Sequence, residues 1–587
     1  MSLLQTPRAP ASVIRLDSPL PVWRRPIVTC AVLAAVFFAA VAPTLLWSEF
    51  TGGMENFNLE TALEMTRDGH WLIPTLDGDV RTRKPPLAEW ITALGIRSSQ
   101  SLAWGARWPS LLCAALTLAA IYELGRLAGG PPLGFASMCV GGSTYLFLKF
   151  AREASYDTQL TLWVTLANVC LAWAILRGRW WLGCGGAGAA LGLALMTKGP
   201  PAILETVIPP VVLVAFETAL VAAGKRSDRR RGCNPILAQV PRQVSAGAVI
   251  LGVLLALAIA LPWTLYVMVK QPGRMAEWYN EVSLGTEARF EQRIGVYFTY
   301  FAFLLWVVPW TIWFLAGLRR VLVGDERQPT EDPKSRIALR LMAAWVLLPL
   351  LVMWFFPERR ERYVLPLIGP TAVLCGWGLL RYLSSGLARQ PGGPSGPRWP
   401  LAVHWATVAA IGLGLPILGA ADLNRFRTAE GRPWFSPALA AGIATLVMLV
   451  LMASVRWKRP GIAGIAGGTF AIMLIAQASF TYGYSRAPGG ISESKRLVDS
   501  VLRRYPDAVV YNANNRPRRR DLPLEMTIYL NRVVPRAEHP ETLQPDDRPQ
   551  IIIFPEGART APIGFKLLTR QYIKEEWWDA YVLPAVQ

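Results

Sequence analysis

The sequence predicts a polytopic α-helical membrane protein of about 13 transmembrane helices with a small C-terminal α/β domain outside the membrane. Three observations predict this fold class. Apolar residues make up 52% of the 587-residue chain. Apolar stretches, each near the ~20 residues that a bilayer-crossing helix needs, recur between Pro26 and Tyr484. From about Ile491 the sequence turns polar and alternates short apolar runs with turns, as water-soluble domains do.

The basic residues predict how these helices are threaded. The net charge is +20, and much of it lies before the first span and in loops that alternate threading places on the same side. These residues are Arg8, Arg15, Arg24, Arg25, Lys225, Arg226, Arg229, Arg230, Arg231, Arg319, Arg320, Lys334, Arg336, Arg456, Lys458 and Arg459. Because cytoplasmic loops are rich in Lys and Arg, we expect a multi-pass protein of the inner (cytoplasmic) membrane with a cytoplasmic N-terminus. Charge in this arrangement argues against nucleic acid as a partner.

The chain then divides into three parts. Residues 1–25 form a cytoplasmic tail, residues 26–484 the membrane domain, and residues 485–587 an extracytoplasmic, or periplasmic, α/β domain. The predicted spans are 26–47, 106–126, 131–150, 159–176, 180–197, 202–223, 244–270, 297–318, 337–356, 365–383, 401–423, 438–455 and 462–484.

The first exported loop, residues 48–100, is long and carries structure of its own. Residues Leu59–Met65 repeat apolar positions at helical spacing, which predicts a short helix lying at the membrane interface. An extended piece follows and closes with an Asp77-Gly78 turn, and a second helix begins near Leu87. Long structured loops are more often functional than plain connectors.

The C-terminal part alternates helix and strand patterns. We expect helices over 492–505 and 524–530 and strands over 508–511 and 551–554. This alternation favours a small α/β layer.

Cysteine and histidine usage gives no sign of a metal centre. Six of the seven cysteines lie inside predicted spans and the seventh, Cys233, in a cytoplasmic loop, so we expect neither a disulfide framework nor a Cys-based metal site. The histidines, His70, His404 and His539, are too far apart to indicate a ligand set. Glu55 and Asp157 could share a divalent cation, Mg or Mn, with phosphate oxygens, but two ligands are too few to predict one, and no cofactor is assigned.

The residues able to do chemistry fall on one side of the threaded chain. Glu55, Lys84, Asp157, Lys198, Arg274 and the run 358–362 all emerge on the exported face. Scattered loop charge is the alternative interpretation. Acids and bases gathered at one mouth of a helix bundle instead indicate a site.

Lys84 and Asp157 each have a plain and a functional interpretation. Lys84 precedes two prolines that stiffen the backbone, so its ammonium is rigidly presented and suits a phosphate head group. It could also simply snorkel to the interface. Asp157 stands at the exported start of a span, where it could be a catalytic carboxylate or only a helix cap. Lys198 closes the next span on the same side.

Two clusters of cations complete the exported mouth. Arg274, Trp278, Tyr279, Arg289 and Arg293 share one loop, and the very short loop between two later spans reads Glu358-Arg359-Arg360-Glu361-Arg362-Tyr363. Guanidinium groups match phosphate oxygens, so we expect this short loop to grip a dianionic group. Anchoring at the interface together with internal salt bridges is the alternative.

This set of residues fits displacement at a sugar carbon with a lipid-linked phosphate leaving, because cations offset charge on the departing phosphate and a carboxylate orients or deprotonates the acceptor. An ATP-driven pump is disfavoured, since the sequence has no Gly-x-x-x-x-Gly-Lys-Ser/Thr motif. A conventional transporter is disfavoured too, since the spans have almost no deep ionisable residues apart from Glu205 and Glu217.

Five segments stand out as motifs: Lys84-Pro85-Pro86-Leu87, Ala151-Arg152 through Asp157, Thr197-Lys198-Gly199-Pro200, Pro309-Trp310, and Arg360-Glu361-Arg362-Tyr363 with Leu365-Pro366. Together they resemble the motifs of GT-C membrane glycosyltransferases, in particular the bacterial polyprenyl-phosphate-dependent group that includes the aminoarabinose (lipid A) transferase and is related to protein O-mannosyltransferases. The resemblance covers the membrane part and extends to the span count. It implies that Lys84 binds the donor phosphate, with Arg360 or Arg362 assisting, and that Asp157 is an active-site acid.

One position departs from that pattern. The family's first loop carries Asp-Glu, whereas this chain has Met54-Glu55. Either Glu55 substitutes as the base, or catalysis is altered, or activity is lost; a phosphate acceptor, already ionised, would need no base.

The leading interpretation is therefore a glycosyltransferase that moves a sugar from a polyprenyl-phosphate donor to a lipid, glycan or protein acceptor. The alternative is a lipid-binding or lipid-flipping protein on the same scaffold. The expected site residues are Glu55 and Asp157 for catalysis and Lys84, Arg274, Arg360 and Arg362 for the phosphate, with Lys198 and Tyr363 as additions. We expect a monomer in contact with membrane lipids.

Overall fold

A computed structural model describes residues 25–50, 52–222, 244–274, 276, 278, 302–323, 333–353, 360–387, 399–420, 461–485, 492–515, 522–574 and 576–585. In chain order the helices are α1 (Pro26–Val41), α2 (Met54–Asp68), α3 (Leu87–Arg97), α4 (Leu102–Gly129), α5 (Pro131–Ser143), α6 (Tyr145–Phe150), α7 (Tyr156–Arg177), α8 (Trp180–Lys198), α9 (Pro201–Thr206), α10 (Ile208–Ala222), α11 (Ala246–Lys270), α12 (Thr311–Val323), α13 (Pro333–Met353), α14 (Ile368–Leu387), α15 (Trp399–Ala420), α16 (Gly468–Tyr484), α17 (Glu493–Arg504) and α18 (Leu524–Leu530).

Within those ranges, eight helical segments are long and apolar enough to cross a membrane. They are Pro26–Leu46, Leu102–Gly129, Tyr156–Arg177, Trp180–Lys198, Ala246–Lys270, Lys334–Met353, Glu361–Ser384 and Ala463–Tyr482. Shorter or additional helices occupy most other predicted spans, and the span predicted at 438–455 lies outside the described residues. A multi-pass helical membrane architecture is thus confirmed, whereas the count of thirteen stays a prediction.

Backbone geometry explains where the elements of the first loop begin and end. Helix α2 stops at Gly69, whose φ of 79° is left-handed and whose N–H donates to the Met65 carbonyl. A hairpin of β1 (Thr75–Leu76) and β2 (Asp79–Val80) follows. Its two turn residues, Asp77 and Gly78, both have positive φ, as a tight two-residue hairpin requires.

Helix α2, predicted as a short interfacial helix, is enclosed by protein to an extent that its pattern did not predict. Its residues from Asn58 to Met65 are buried, polar ones included, because protein covers it on several sides. Ile528 of α18 packs in one cluster with Leu59 and Leu63 of α2, so the C-terminal part lies on the first loop.

Inside the helix bundle, two details depart from or sharpen the sequence pattern. The span predicted at 131–150 is two helices, α5 and α6, separated at Thr144, whose backbone is extended. Helices α8 and α11 approach so closely that a Cβ on Gly188 would lie 2.0 Å from the Gly252 carbonyl oxygen. Small residues permit this contact between membrane helices, and it fixes α8, which ends in Lys198.

The C-terminal part contains a four-stranded mixed sheet with the order β3 (Val509–Asn512), β4 (Gln550–Pro555), β6 (Glu576–Leu583), β5 (Lys566–Ile573). Strands β3 and β4 are parallel, and the other pairs are antiparallel. Helices α17 and α18 coincide with the predicted helices, and strands β3 and β4 coincide with the predicted strands. Strands β5 and β6 were not predicted. That this part is a separate exported domain stays a prediction.

The C-terminal part is also held by polar contacts. The Phe50 N–H donates to the Tyr529 hydroxyl at 2.9 Å, and the Lys495 ammonium lies 2.8 Å from the Glu49 carboxylate. Both contacts join residues more than 400 positions apart and tie α17 and α18 to the segment after α1.

Candidate functional site

Asp157 lies at the centre of the residues that the sequence singled out. It is the second residue of α7, and its carboxylate contacts the Lys198 ammonium on one oxygen and Arg362 Nε, at 3.4 Å, on the other. The helix is capped by Ser155, whose hydroxyl accepts the Asp157 N–H at 3.1 Å. The carboxylate is therefore not needed as a cap, and it is 2% exposed between two cations.

Lys84 reaches the same place from the first loop. Its Nζ lies 4.4 Å from the centre of the Tyr156 ring, and Tyr156 immediately precedes Asp157. Burial and the nearby charge of Lys198 lower the pKa of Lys84 to about 8. An ammonium that is partly desolvated and faces another cation favours the arrival of an anion.

The Tyr156 hydroxyl belongs to a network that sequence reasoning missed. It donates to the Glu89 carboxylate and accepts from Arg81 Nη1 at 3.3 Å. Arg81 also donates to the Phe57 carbonyl and to the Thr61 hydroxyl, so the network joins α2, α3 and α7. Burial raises the pKa of Glu89. The sequence did contain one sign of this network, because Glu89 lies in the helix that directly follows Lys84-Pro85-Pro86.

The aromatic ring of Tyr363 lies beneath the ammonium of Lys198. Lys198 Nζ lies 4.4 Å from the centre of the Tyr363 ring, and the Arg362 guanidinium carbon lies 5.5 Å from it. The two lysines thus sit over tyrosine rings at equal distances. Cation–π contacts hold an ammonium in place without neutralising its charge.

The remaining predicted cations are only partly placed. Arg360 is exposed where the 3₁₀ helix Glu361–Leu367 begins, and Glu361 pairs with Lys149. Arg274 follows α11, and its Nε donates to the Gln271 side chain at 3.1 Å. Nearby, the Trp278 indole donates to the Thr82 carbonyl at 2.9 Å, which brings this segment beside the first loop. Tyr279, Arg289, Arg293, Glu358 and Arg359 lie outside the described residues.

Glu55 has a different environment from the one expected of a base. Its two oxygens accept from Nε and Nη2 of Arg107 at 2.7 and 2.9 Å, and the first also accepts the Ala154 N–H. Arg107 Nη1 donates further to the carbonyls of Leu45 and Ser48. Both predicted catalytic carboxylates are present, but Glu55 is engaged in a closed ion pair that the sequence did not reveal.

Glu55 and Asp157, the two carboxylates that could have shared a divalent cation, have no third ligand beside them in the described residues. No group of three His, Cys, Asp or Glu side chains able to hold an ion occurs there, and Glu55 and Asp157 have separate cationic partners. His404 is buried between the Pro309 carbonyl and the Thr469 hydroxyl, a structural arrangement.

The site as a whole carries excess positive charge. Lys84, Lys198 and Arg362 converge on Tyr156, Asp157 and Tyr363, and Asp157 pairs with two of these three cations. Such a cluster of cations can accept an anionic group, and phosphate has the charge and oxygen geometry for it.

Comparison with known proteins agrees with this chemistry. A family profile described as dolichyl-phosphate-mannose-protein mannosyltransferase matches residues 83–226, which include Lys84, Asp157 and Lys198. An undecaprenyl phosphate-alpha-4-amino-4-deoxy-L-arabinose arabinosyl transferase of Pseudomonas fluorescens is 29% identical over 336 residues, 56% of this chain and 55% of that protein. A transferase of the same name from Pseudomonas savastanoi is 26% identical over 350 residues, 56% of each chain. The alignments thus span little more than half of these relatives.

The solved structures match over almost the whole chain. ArnT from Cupriavidus metallidurans in the apo state has a TM-score of 0.68 at 16% identity, covering 96% of this chain and 99% of that one. The same protein bound to undecaprenyl phosphate has a TM-score of 0.67 with the same coverage. The chain therefore has the fold of ArnT, and its resemblance to the polyprenyl-phosphate-dependent bacterial glycosyltransferases is confirmed.

Proposed function

We propose that this chain is an integral-membrane glycosyltransferase that moves a sugar from a polyprenyl-phosphate donor to a lipid, glycan or protein acceptor at the outer face of the cytoplasmic membrane. The observation that carries the proposal is the convergence of Lys84, Lys198 and Arg362 on the Tyr156-Asp157 dipeptide. The names of the relatives favour undecaprenyl phosphate as the carrier and 4-amino-4-deoxy-arabinose as the sugar.

In the proposed reaction the acceptor oxygen attacks the anomeric carbon of the donor sugar. The bond from that carbon to the phosphate oxygen breaks, and its electron pair stays on the departing prenyl phosphate. Lys84, Lys198 and Arg362 stabilise that negative charge, which grows in the transition state. Arg274 and Arg360 are proposed to assist from the adjoining loops.

Asp157 and Glu55 have different proposed roles. Asp157 keeps Lys198 and Arg362 in place before the donor arrives and is the carboxylate at the pocket for orienting the acceptor. Glu55, held by Arg107 and the Ala154 N–H, is proposed to brace the first loop against α4. A phosphate acceptor needs no base, whereas a hydroxyl acceptor would pass its proton to a carboxylate.

A second candidate function rests on the same site. Met54 stands at the position of the resembled family's catalytic Asp, and Glu55 beside it is closed by Arg107. A protein that binds or flips the lipid carrier without transferring the sugar would need only the cationic pocket.

One experiment separates the two. The purified full-length protein in lipid nanodiscs is given undecaprenyl-phosphate-aminoarabinose together with lipid A, and both binding and release of undecaprenyl phosphate are measured. We expect release with sugar transfer. Donor binding without release would support the lipid-binding protein, and absence of both would reject the cationic pocket as a donor site.

Matched variants assign the effect to the site. Lys84→Ala is expected to weaken both binding and release. Asp157→Asn, which keeps one oxygen for Lys198 or Arg362, is expected to weaken release much more than binding. Arg126→Ala is the control, because Arg126 pairs with Glu123 one helical turn away on α4 and has no contact with the pocket residues that the structure describes.

A further inference from the structure

Glu89 is a buried carboxylate for which the proposed reaction has no use so far. It is the third residue of α3, lies five positions after Lys84, and is 3% exposed. One oxygen accepts from the Tyr156 hydroxyl, and the other, Oε2, has no hydrogen-bond partner among the described residues. Burying a carboxylate with an unpaired oxygen is costly, so its presence calls for a compensating role.

Packing alone does not supply that role. Helix α3 lies against α7 through this contact, and a leucine at position 89 would fill the same space without desolvating a carboxylate. The polar contact instead fixes the Tyr156 ring, whose face carries the Lys84 ammonium at 4.4 Å.

The charges around Lys84 also indicate a role for Glu89. Lys198 and Arg81 disfavour its protonated form, and Asp157 and Glu89 favour it. Asp157 is already in contact with Lys198, so its charge is shared with a cation. Glu89 is therefore a second carboxylate, after Asp157, that offsets the positive charge crowded around Lys84.

We propose that Glu89 is a positioning residue for donor binding: its hydrogen bond fixes the Tyr156 ring beneath the Lys84 ammonium, and its carboxylate offsets part of the positive charge around that ammonium. The inference rests on the proposed function, because it takes Lys84 to be the group that binds the donor phosphate. It also extends the site to a carboxylate on α3.

The test measures binding of undecaprenyl phosphate alone to the full-length protein in nanodiscs between pH 7 and pH 10. Wild-type binding is expected to fall as the pH rises through about 8, where Lys84 loses its proton. Glu89→Gln keeps an oxygen for the Tyr156 hydroxyl but removes the charge, so the midpoint of this fall moves to lower pH by roughly one unit. Glu89→Asp keeps the charge and restores most of the wild-type midpoint.

Turnover of the sugar donor provides a second measurement. At pH 8 we expect Glu89→Gln to raise KM for the donor several-fold and to leave kcat at saturating donor nearly unchanged, since the chemistry at the anomeric carbon does not involve Glu89. Glu64→Gln is the matched control. Glu64 is equally buried in the first loop, but it accepts from Thr75 and from the Gly78 N–H.

Each outcome decides the inference. If wild-type protein binds undecaprenyl phosphate and Glu89→Gln has the same affinity and midpoint, Glu89 has no positioning role and the proposed function still stands. The inference is also overturned if Glu89→Gln and Glu64→Gln both yield less folded protein and the folded Glu89→Gln protein keeps the wild-type pH midpoint of undecaprenyl phosphate binding. If Glu89→Gln cannot be purified, Tyr156→Phe replaces it: unchanged donor affinity there contradicts the inference. If the wild-type protein binds none at any pH, the proposed function itself is rejected.

Discussion

The two carboxylates that the sequence marked as catalytic lie in contrasting surroundings. Asp157 sits between Lys198 and Arg362, side chains that are 12% and 14% exposed, with Lys84 on the neighbouring ring. Glu55 forms a bidentate pair with Arg107, which is 3% exposed. The first cluster has more positive than negative charge, and the second is balanced and closed.

The difference shows how an ion pair's environment indicates its role. A closed pair with every hydrogen bond satisfied gives rigidity to the elements it joins, here the first loop, α4 and the segment before α7. A cluster with excess charge gains most of its stabilisation only when a ligand of opposite charge arrives. Stability should therefore depend on the Glu55 pair, and ligand binding on the Asp157 cluster.

The largest effect is expected from breaking the closed pair. Arg107→Ala leaves the Glu55 carboxylate buried without its partner, which should lower the free energy of unfolding by about 3–5 kcal/mol. Unfolding of the detergent-solubilised protein checks this. Arg126→Ala, which removes a more exposed pair within α4, should cost less than about 1 kcal/mol. If both variants lost the same free energy of unfolding, the Glu55–Arg107 pair would not stabilise the fold more than an exposed pair does.

The next effect is loss of donor chemistry at the open cluster. Lys84→Ala should reduce transfer by about 100-fold, because one cation facing the departing phosphate is missing. Its unfolding free energy should stay close to that of the wild type. A variant that kept wild-type transfer would exclude Lys84 from the site.

The protonation of Lys84 predicts how binding depends on pH. Its pKa is lowered to about 8 by burial and by Lys198, so the binding form is lost as the pH rises through that value. Above the midpoint, donor affinity should fall by up to about tenfold per pH unit. Lys84→Arg stays charged and should bind without this alkaline decline. A decline that persists in Lys84→Arg would assign the titration to another group.

The smallest effect concerns the ring beneath Lys198. Tyr363→Leu removes a cation–π contact of about 0.5–2 kcal/mol, so donor affinity should fall roughly twofold to thirtyfold. Tyr363→Phe keeps the ring and serves as the control. If both variants bind alike, the ring does not hold Lys198 for the donor.

Much of this arrangement follows from the sequence. Apolar runs of span length predict the long helices, and alternate threading brings Lys84, Asp157, Lys198 and the loop of Arg362 to one end of the bundle. The Asp77-Gly78 turn was predictable because only a few residue types accept positive φ at both positions.

Other features depend on contacts that local pattern does not encode. Arg107 lies in an apolar span and meets Glu55 from 52 positions away, and Glu89 meets Tyr156 from 67 positions away. The break between α5 and α6 coincides with a hydrogen bond from the Tyr145 N–H to the Val308 carbonyl, more than 160 residues later. Strand β5 has a single fully buried residue and so lacks the apolar alternation by which strands are recognised.

The most direct test of this contrast is the rate of transfer per folded molecule in Glu55→Gln, measured beside its unfolding free energy. We predict a loss of stability with a rate within about threefold of wild type, because a bracing carboxylate takes no part in the chemistry. Where Glu55→Gln folds poorly, the double variant with Arg107→Met removes both charges and permits the same measurement. A fall in rate of about 100-fold at unchanged stability would contradict the account and identify Glu55 as the base.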